Sequence, residues 1–588
     1  MKLATIRRAS SRRSDVADSH GRQRILAGVF LAGFFLICVR LGYWQIIRAS
    51  ELTQEAEGQY RRVQKQSGQR GTILFQDHKP LVINTQVYRW YSKPDLLSSQ
   101  ERDQIITAAL PLYQRQHPDD PEWLQSTKDR LHDLLDSDSR KWAEVIADIS
   151  EEDKAALSAL AIPNTGFEAY ETRYYPEASM AAHITGFVGK NADGQPTGYF
   201  GLEGALDQEL DARSLSQKVV TDALGFSLSS QDGEQNLDGR TFVTTLRRDV
   251  QQLLERKLHE GMLKYGPVAG EVIVLEPKTG NILGMASEPT YDQAKYSESD
   301  QDTFANPSLS ETYEPGSTFK VLTVAAGIDS GVIPPDTTCD RCSGPRTFGK
   351  YQIKTWNEEY HPNITMSEAL AKSDNVAMIF VAEKIGSDRF CKYLQDFGIG
   401  SPIGLELEED SSTPFPDDFH PVELATASFG QGISTNSLQL VRAVATIANQ
   451  GTMMQPHILS SIYDPITGTS IDIQPEVVRQ VVSPETAQAV TQMMIYSAQH
   501  GEAQWTYRPN HTVSGKTGTS QVAIKGGYDE SKTIASFIGF APSQKPAFVM
   551  LVKLTAPSSS IWAAETAAPL WYDIAEELYL LLQIPPDR

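Results

Sequence analysis

The stretch YEPGSTFK, residues 313–320, places Ser317 three residues ahead of Lys320 and directly after Pro315 and Gly316. Pro315 cannot continue a helix backwards and Gly316 allows a sharp turn, so the pattern predicts a helix that begins near Ser317. Residues at i and i+3 share one helix face, which would bring the hydroxyl and the amine together. A serine hydroxyl becomes a nucleophile when a base takes its proton, and a lysine whose pKa is lowered by burial and nearby positive charge can act as that base.

The N-terminus of such a helix would assist the same reaction. Its unpaired N–H groups carry positive potential and can stabilise a developing oxyanion, an effect on the order of 10²–10³ in rate per donor. Alone, however, the spacing is a weak signal, because Ser317 could be a helix N-cap and Lys320 a surface charge. The chemical interpretation therefore depends on other segments of the chain.

A second segment with polar side chains is AKSDNVAMIF, which contains Ser373, Asp374 and Asn375 and leads into an apolar, helix-like run. Its hydroxyl could pass a proton to a leaving amine, and its amide could bind the backbone of a substrate. In isolation such a tripeptide is an ordinary turn or helix cap.

The third segment, VSGKTGTSQ, is typical of a strand and contains Lys516, Thr517, Gly518 and Thr519 in succession. In regular strand geometry Thr517 and Thr519 share a face opposite Lys516 and Gly518. Gly518 lacks a side chain, so another chain could approach the strand closely. The pattern favours addition of an extended peptide whose C-terminal carboxylate meets hydroxyls and a cationic field.

The elements around these motifs predict one α/β unit over residues 236–588. GEVIVLEPKTGNILGMAS, from Gly270, predicts a hairpin, and three later strands are expected at residues 513–523, 533–541 and 547–554. Helical patterns lie between the hairpin and these strands, and WYDIAEELYLLL predicts a closing helix. We expect a five-stranded, mostly antiparallel sheet flanked by helices. In the chain, a helical insert separates the first two strands from the last three.

A basic tail and an apolar run open the chain. Residues 1–24 carry seven lysines and arginines against two aspartates, and residues 25–47 are apolar except near Arg40. The run is long enough to span a bilayer, with Arg40 able to snorkel and Tyr43 and Trp44 placed for the interface. A cleaved signal peptide is the alternative, although no small-x-small cleavage site follows. Basic residues ahead of the span predict a cytoplasmic N-terminus and an acidic bulk on the outer side.

Residues 48–235 predict an α+β domain. Strands are expected in GTILF and PLVINTQVYRWY, residues 101–160 are charged and helix-like, and the polar stretch SSQDGEQNLDG, residues 229–239, predicts a linker. The chain is therefore expected to be multidomain, with a tail at 1–24, a single transmembrane helix at 25–47, a non-catalytic domain at 48–235 and a catalytic domain at 236–588.

Composition narrows the possible partners. The formal net charge of −21 argues against nucleic acid, because a phosphate-binding surface needs clustered lysine and arginine. Four cysteines are too few for a disulfide scaffold. Cys339 and Cys342 form a CxxC without the second ligand pair of a zinc site, which leaves open a local disulfide in an oxidising compartment.

Serine-x-x-lysine at a helix start, then Ser-Asp-Asn, then Lys-Thr-Gly on a late strand is the signature described for penicillin-binding proteins and β-lactamases. The chain resembles a class B penicillin-binding protein, a bacterial peptidoglycan D,D-transpeptidase, and YEPGS is most similar to the division-associated FtsI branch. RGTILFQDHKPLVIN, RYYPEASMAAHITGFVG and GYFGLEGALDQEL resemble signatures of the family's pedestal domain, although its Asp-Arg-Asn-Gly-like turn is here QDHK. TWNEEYH and SFGQGIST resemble segments of the penicillin-binding, or transpeptidase, domain.

The resemblance implies a reaction in which Ser317 attacks a D-Ala-D-Ala bond, releases D-alanine and passes the acyl group to an amine on a neighbouring stem peptide. Lys320 would be the base, Ser373 would relay a proton, Lys516 would supply electrostatics and Asn375 would hold the donor stem. β-Lactam antibiotics would mimic the dipeptide and trap Ser317. No metal and no organic cofactor is implied.

For substrate binding, the resemblance implies that Thr517 and Thr519 hold the terminal carboxylate, with Gly518 between them. The backbone N–H groups of Ser317 and Thr519 would form the oxyanion hole. The family also implies septal cell-wall synthesis at the bacterial cytoplasmic membrane. The implied partners there are a SEDS-type glycosyltransferase and other divisome membrane proteins.

Three rival functions stay open. A β-lactamase or carboxypeptidase would share the three motifs, although a free hydrolase does not require an anchor and a pedestal. An elongation-type class B transpeptidase is the nearest rival. A non-catalytic division scaffold or β-lactam sensor would have a decayed site, whereas all three motifs are intact here.

Overall fold

The computed structural model describes most of the chain, namely residues 16–53, 61–118, 120–137, 139–220, 236–334, 336–409, 412, 414–524 and 527–587. Residues 1–15 of the predicted basic tail and most of the predicted linker lie outside the described residues. The chain divides into two compact units, the first formed by Met1–Gly68 and Arg213–Leu237 and the second by Gln69–Ala212 and Asp238–Arg588.

The first unit contains a long helix and a two-stranded ribbon. The helix covers Val16–Gly42 and continues as a π-helix over Tyr43–Ile47. Within Gly21–Ile47, a window of 18 residues has a mean hydropathy of 2.3 and is not buried, so this segment is long and apolar enough to cross a membrane. This helix contains the anchor predicted at residues 25–47. The ribbon pairs Arg61–Ser67 antiparallel with Ser214–Val220.

The second unit is built around a five-stranded sheet. In spatial order its strands are Ile282–Glu288, Ala269–Leu275, Phe548–Thr555, Gly527–Ala541 and Ser514–Ile524. All four pairings are antiparallel, which confirms the predicted architecture. Two strands precede the helical insert in the chain and three follow it, as expected.

Helices cover both faces of this sheet. One face packs against Arg248–Tyr265 and Ala567–Leu581, and the other against Lys320–Asp329 and Ser437–Ala448. Successive residues of Ala269–Leu275 point to opposite faces, and both faces are buried. This is why the strand has an almost continuous apolar sequence rather than an alternating one.

The insert between the two halves of the sheet is mainly helical. Its α-helices are Pro307–Ser310, Lys320–Asp329, Met366–Ala371, Asn375–Ile385, Ser387–Asp396, Pro421–Ala427, Ser437–Ala448 and Pro484–His500. Two short antiparallel ribbons lie within it, Arg346–Phe348 with Tyr351–Ile353 and Thr452–Met454 with Val477–Gln480. Cys339 and Cys342, both buried, form a disulfide bond in this insert.

A second, mixed sheet joins strands from both sides of the predicted boundary at residues 235 and 236. Its order is Thr469–Asp472, Leu459–Asp464, Thr241–Thr244, Ile73–Leu74, Pro80–Ser92 and Ala143–Ile149, with Thr165–Tyr174 also paired to Pro80–Ser92. The pedestal and the catalytic part are therefore continuous through backbone hydrogen bonds. The boundary itself stays a prediction.

The helix-like character expected for residues 101–160 is confirmed in part. Helices cover Ser99–Gln116, Pro121–Leu135 and Glu151–Ala159, but Ala143–Ile149 is a strand. The expectation of helix is wrong there because AEVIADI buries its branched apolar side chains against Pro80–Ser92.

A buried ion-pair network holds three pedestal segments together. Glu203 is fully buried, and its two carboxylate oxygens lie 2.6 Å from Arg70 Nη2 and 2.7 Å from Arg173 Nη2. These residues come from the three segments that resemble pedestal signatures. A buried carboxylate needs such partners, because removing one of them leaves an uncompensated charge.

Candidate active site

Ser317 lies in the first turn of a buried helix, as predicted. A 3-10 turn, Gly316–Phe319, leads directly into Lys320–Asp329. Gly316 has a φ of +57°, which glycine adopts without strain, and its N–H donates to Gly430 O at 2.9 Å. Because the N-cap position is occupied by the preceding proline, Ser317 is not the helix cap.

Ser373 brings the Ser-Asp-Asn segment against the candidate nucleophile. Its Oγ donates a hydrogen bond to Ser317 Oγ at 2.8 Å. Ser373 has a φ of +56°, a left-handed conformation that costs a non-glycine residue roughly 1–3 kcal/mol. Asp374 caps the helix Asn375–Ile385 by accepting from Ala377 N at 3.0 Å, and this cap fixes the backbone that follows Ser373.

Lys320 is fully buried and its amine is surrounded by the same segment. Nζ donates to Ser373 O at 2.6 Å, to Ser373 Oγ at 3.1 Å and to Asn375 Oδ1 at 2.7 Å. In the described range 236–334, no direct hydrogen bond joins Lys320 Nζ to Ser317 Oγ. The link between the two residues runs through Ser373 Oγ.

The environment of Lys320 favours its neutral form. Burial is the main cause, followed by the positive charge of Lys516, and together they lower the pKa of Lys320 to about 7. The carboxylates of Glu502 and Asp374 act in the opposite direction. A neutral amine next to a hydroxyl pair is the arrangement that a general base requires.

Lys516 lies on the edge strand Ser514–Ile524 and is also buried. Its Nζ donates to Thr517 O and Thr517 Oγ1, both at 3.1 Å. Burial lowers the pKa of Lys516, and the neighbouring Glu502 raises it. Strand alternation therefore does not keep the amine and the threonine hydroxyl apart, contrary to what regular geometry predicted.

Gly518 packs against the turn that carries Ser317. A Cβ atom at this position would lie 2.8 Å from Thr318 Cγ2, 3.1 Å from Pro315 O and 2.6 Å from Ser536 Oγ. The sequence predicted that another chain could approach this strand closely. In the structure, the segment that approaches it is the protein's own turn Gly316–Phe319, which carries Ser317 and is called the nucleophile turn below.

The three motifs meet in one cleft. Ser317, Ser373, Asn375 and Thr519 all line it, together with Glu502, which precedes the edge strand. Thr517 Oγ1 lies beside this cleft and donates to Glu502 Oε2 at 3.0 Å. Sequence reasoning missed Glu502, because an isolated glutamate after a helix carries no signal of its own.

The rim of the cleft is aromatic. The rings of Trp356 and Trp562 are 5.3 Å apart in an edge-to-face arrangement, and both side chains line the cleft beside Ile561. Trp356 Nε1 donates to Lys372 O at 3.2 Å, which ties the rim to the residue before Ser373. This surface can receive apolar parts of a ligand while the polar groups hold its backbone.

Two family models match this chain. The penicillin binding protein transpeptidase domain matches residues 270–576, and the penicillin-binding protein dimerisation domain matches residues 65–244. Stage V sporulation protein D of Bacillus subtilis is 30% identical over 96% of this chain and 86% of that protein. The peptidoglycan D,D-transpeptidase FtsI homolog of Mesostigma viride is 26% identical over 95% of each chain.

Solved structures show the same fold. Penicillin binding protein 3 of Mycobacterium tuberculosis, complexed with aztreonam, matches with a TM-score of 0.67 and 24% identity over 89% of this chain and 98% of that one. Penicillin binding protein 2X of Streptococcus thermophilus matches with a TM-score of 0.68 and 23% identity over 89% and 81%. The chain belongs to the penicillin-binding proteins, and its dimerisation domain places it with the class B peptidoglycan D,D-transpeptidases, as the resemblance implied.

Proposed function

We propose that this chain cross-links stem peptides during septal cell-wall synthesis through an acyl-enzyme on Ser317. The observation that carries the proposal is the hydrogen-bonded chain from Lys320 Nζ to Ser373 Oγ at 3.1 Å and from Ser373 Oγ to Ser317 Oγ at 2.8 Å. A buried amine of lowered pKa at one end and a half-buried hydroxyl at the other form a nucleophile with its base.

Acylation begins when Ser317 Oγ attacks the carbonyl carbon between the two D-alanines of the donor stem. When Lys320 is neutral, both hydroxyls rotate so that Ser317 donates to Ser373 and Ser373 donates to Lys320, the reverse of the directions in the structure. The Ser317 proton then passes to Ser373 Oγ, whose own proton passes to the neutral amine of Lys320. With its pKa lowered to about 7, Lys320 can accept a proton near neutral pH and can also return it.

Collapse of the tetrahedral intermediate releases D-alanine. The C–N bond breaks, and the leaving amine takes its proton from Lys320 through Ser373. Ser317 and Thr519 line the same cleft, and their backbone N–H groups would stabilise the oxyanion. Asn375 would hold the donor stem, since this residue lines the cleft. Its Oδ1 accepts from Lys320 Nζ and its Nδ2 donates to Lys354 O at 3.1 Å.

The second half-reaction transfers the acyl group. An amine from a neighbouring stem attacks the Ser317 ester, a new amide bond forms, and the ester C–O bond breaks. Lys320 takes the amine proton and Ser317 regains one through Ser373. A β-lactam would follow only the first half-reaction, because the nitrogen released when its ring opens stays covalently attached to the acyl group.

The terminal carboxylate of the donor would bind at the edge strand. Thr517 and Thr519 would offer hydroxyls, Gly518 would keep the strand close to Ser317, and Lys516 would supply a positive field. Thr519 lines the cleft, which supports this assignment.

The remaining parts of the chain support a membrane-bound role. The N-terminal helix would anchor the protein, with the N-terminus in the cytoplasm and the pedestal and catalytic domains, residues 48–235 and 236–588, on the outer side. A SEDS-type glycosyltransferase and other divisome proteins would be partners.

The identity to stage V sporulation protein D favours a second candidate, a transpeptidase that acts in sporulation.

The test of the acyl-enzyme is intact-mass spectrometry of the detergent-solubilised full chain after incubation with a labelled penicillin, followed by peptide mapping. We expect one adduct, on the peptide that contains Ser317, and none in Ser317→Ala. Ser330→Ala, which removes a hydroxyl at the far end of the same helix, is the matched control. An adduct on another residue, or release of hydrolysed penicillin within seconds, would contradict the proposal.

The septal role is tested separately, by imaging a fluorescent fusion in growing cells of the source organism. Label concentrated at midcell is expected. Label along the side wall would favour the elongation-type alternative, and label confined to sporulating cells would favour the second candidate.

A further inference from the structure

Glu502 is a charged residue of the cleft that the mechanism above does not use. It lines the cleft that contains Ser317 and also an adjoining groove that contains His361 and Asp374. Its Oε2 accepts a hydrogen bond from Thr517 Oγ1 at 3.0 Å. Glu502 therefore contacts one of the two hydroxyls to which the proposed function assigns the terminal carboxylate of the donor.

The two threonine hydroxyls differ in what they can offer a ligand. Thr517 Oγ1 accepts from Lys516 Nζ at 3.1 Å and donates its single proton to Glu502. Thr519 Oγ1 accepts from Ala563 N at 3.2 Å, which leaves its proton available to an anion in the cleft. Thr517 can receive an anion only when its bond to Glu502 opens.

Glu502 also offsets the positive field at this end of the cleft. The ammonium of Lys516 and the carboxylate of Glu502 contact the same hydroxyl, so their charges largely cancel around Thr517. A ligand carboxylate that took the Thr517 proton from Glu502 would still lie about 5 Å from Glu502, since both carboxylates would remain next to the same hydroxyl oxygen. Like charges at this separation repel strongly where the surroundings are buried and poorly screened.

We propose that Glu502 is a specificity-determining residue that makes the Thr517 end of the cleft discriminate against ligands with a free carboxylate. The inference rests on the proposed function, because it concerns ligands that acylate Ser317. The discrimination is largest for a small ligand such as a β-lactam, whose carboxylate is a large part of its contact surface. A stem peptide is affected less, because it also contacts Asn375 and the aromatic rim.

The experiment compares two ligands that differ in charge and by one methyl group, benzylpenicillin and its methyl ester, and uses how each variant changes their ratio. The second-order rate constant for acylation of Ser317 is measured for each by intact mass, using the full chain in detergent. Both ligands open the same ring with the same base, so a change in the pKa of Lys320 divides out of the ratio of the two constants. Glu502 raises the pKa of Lys516, so its loss could only reduce the positive charge that attracts the acid, and this effect would lower the ratio rather than raise it. We expect Glu502→Gln to raise the acid-to-ester ratio about tenfold.

Three further variants separate charge from shape. Glu502→Asp keeps the charge and is expected to give the same acid-to-ester ratio as the wild-type protein. Glu502→Ala removes the charge without adding an amide and is expected to raise the ratio as much as Glu502→Gln does. This second variant keeps the inference testable if Glu502→Gln fails to fold. Glu485→Gln, which neutralises an exposed carboxylate in the first turn of the preceding helix, is the matched control and is expected to leave the ratio unchanged.

The outcomes that overturn the inference are distinct from those that overturn the proposed function. An unchanged acid-to-ester ratio in both Glu502→Gln and Glu502→Ala would refute the role of Glu502. An increase in Glu502→Asp equal to that in Glu502→Gln would refute a role of its charge. The absence of any Ser317 adduct with either ligand in the unchanged protein would instead refute the acyl-enzyme, and this inference with it.

Discussion

Ser373 Oγ lies 2.8 Å from Ser317 Oγ, and the same hydroxyl accepts from Lys320 Nζ at 3.1 Å. The two residues of the Ser-x-x-Lys motif therefore communicate through a side chain that is distant from both in sequence. The left-handed backbone of Ser373, with φ +56°, places the hydroxyl between them. This geometry supports the proposed proton relay through Ser373, which can be tested by removing one oxygen atom.

Ser373→Ala removes the relay and leaves the backbone cap of Asp374 in place. We expect acylation by benzylpenicillin to slow by about 10²–10³-fold, within the range of general acid–base contributions. Stopped-flow or intact-mass kinetics measure the rate, and an unchanged melting temperature shows that the fold is retained. A rate within a few-fold of the unchanged protein would mean that Lys320 takes the Ser317 proton directly.

The pH dependence of acylation tests the base. Lys320 must be neutral to accept a proton, and its pKa is lowered to about 7, so the rate should rise through neutral pH and level off about one unit above it. Because the charge of Lys516 helps to lower the pKa of Lys320, Lys516→Ala should move the midpoint to higher pH as well as reduce the rate. The pH profile of the acylation rate constant is the measurement. A midpoint that stays in place or falls in Lys516→Ala would contradict this coupling.

The sequence predicted the central sheet well because its strands carry strong local signals. The hairpin from Ala269–Leu275 to Ile282–Glu288 has two apolar runs joined by a Pro- and Gly-containing turn, and both runs are buried. The charged strand Ala143–Ile149 was missed, since its partner Pro80–Ser92 is distant in sequence and decides its conformation.

The residue types of the site were also predictable, but their contacts were not. The spacing of Ser317 and Lys320 placed them on one turn, whereas the indirect link depends on a positive φ at Ser373 that no local pattern encodes. In the same way, the contact of Glu502 with Thr517 arises only when the end of one helix reaches the edge strand.

Gly518→Ala tests the approach of the nucleophile turn to the strand. The new methyl group would lie 2.8 Å from Thr318 Cγ2 and 3.1 Å from Pro315 O, so the turn has to move. We expect the acylation rate to fall about tenfold or more, since small displacements of reacting groups have large effects on rate. Gly515→Ala is a control on the same strand, because its new methyl group would meet the ring of Phe537 on the neighbouring strand and not the turn that carries Ser317. Equal acylation rates in the two variants would contradict a specific role for Gly518.

A further prediction concerns the contact between the pedestal and the catalytic part. Glu409 Oε1 accepts from Gly201 N at 2.9 Å, and Glu408 Oε2 accepts from Phe200 N at 2.7 Å. Burial, with a smaller contribution from the charge of Glu408, raises the pKa of Glu409 to about 7. The folded protein therefore holds a proton on Glu409 at pH values where the unfolded chain has lost it.

Because the folded state binds more protons than the unfolded state between about pH 4.5 and 7, stability should fall as the pH rises through this window. The shift corresponds to roughly 3 kcal/mol once Glu409 is fully ionised. Glu409→Gln mimics the protonated form, so it should raise the melting temperature at pH 8 and have little effect at pH 5. Differential scanning calorimetry of the full chain in detergent measures this, with Glu485→Gln, which neutralises an exposed carboxylate outside this contact, as the control. An equal pH dependence in Glu409→Gln and the unchanged protein would show that Glu409 is ionised in the folded state throughout this range.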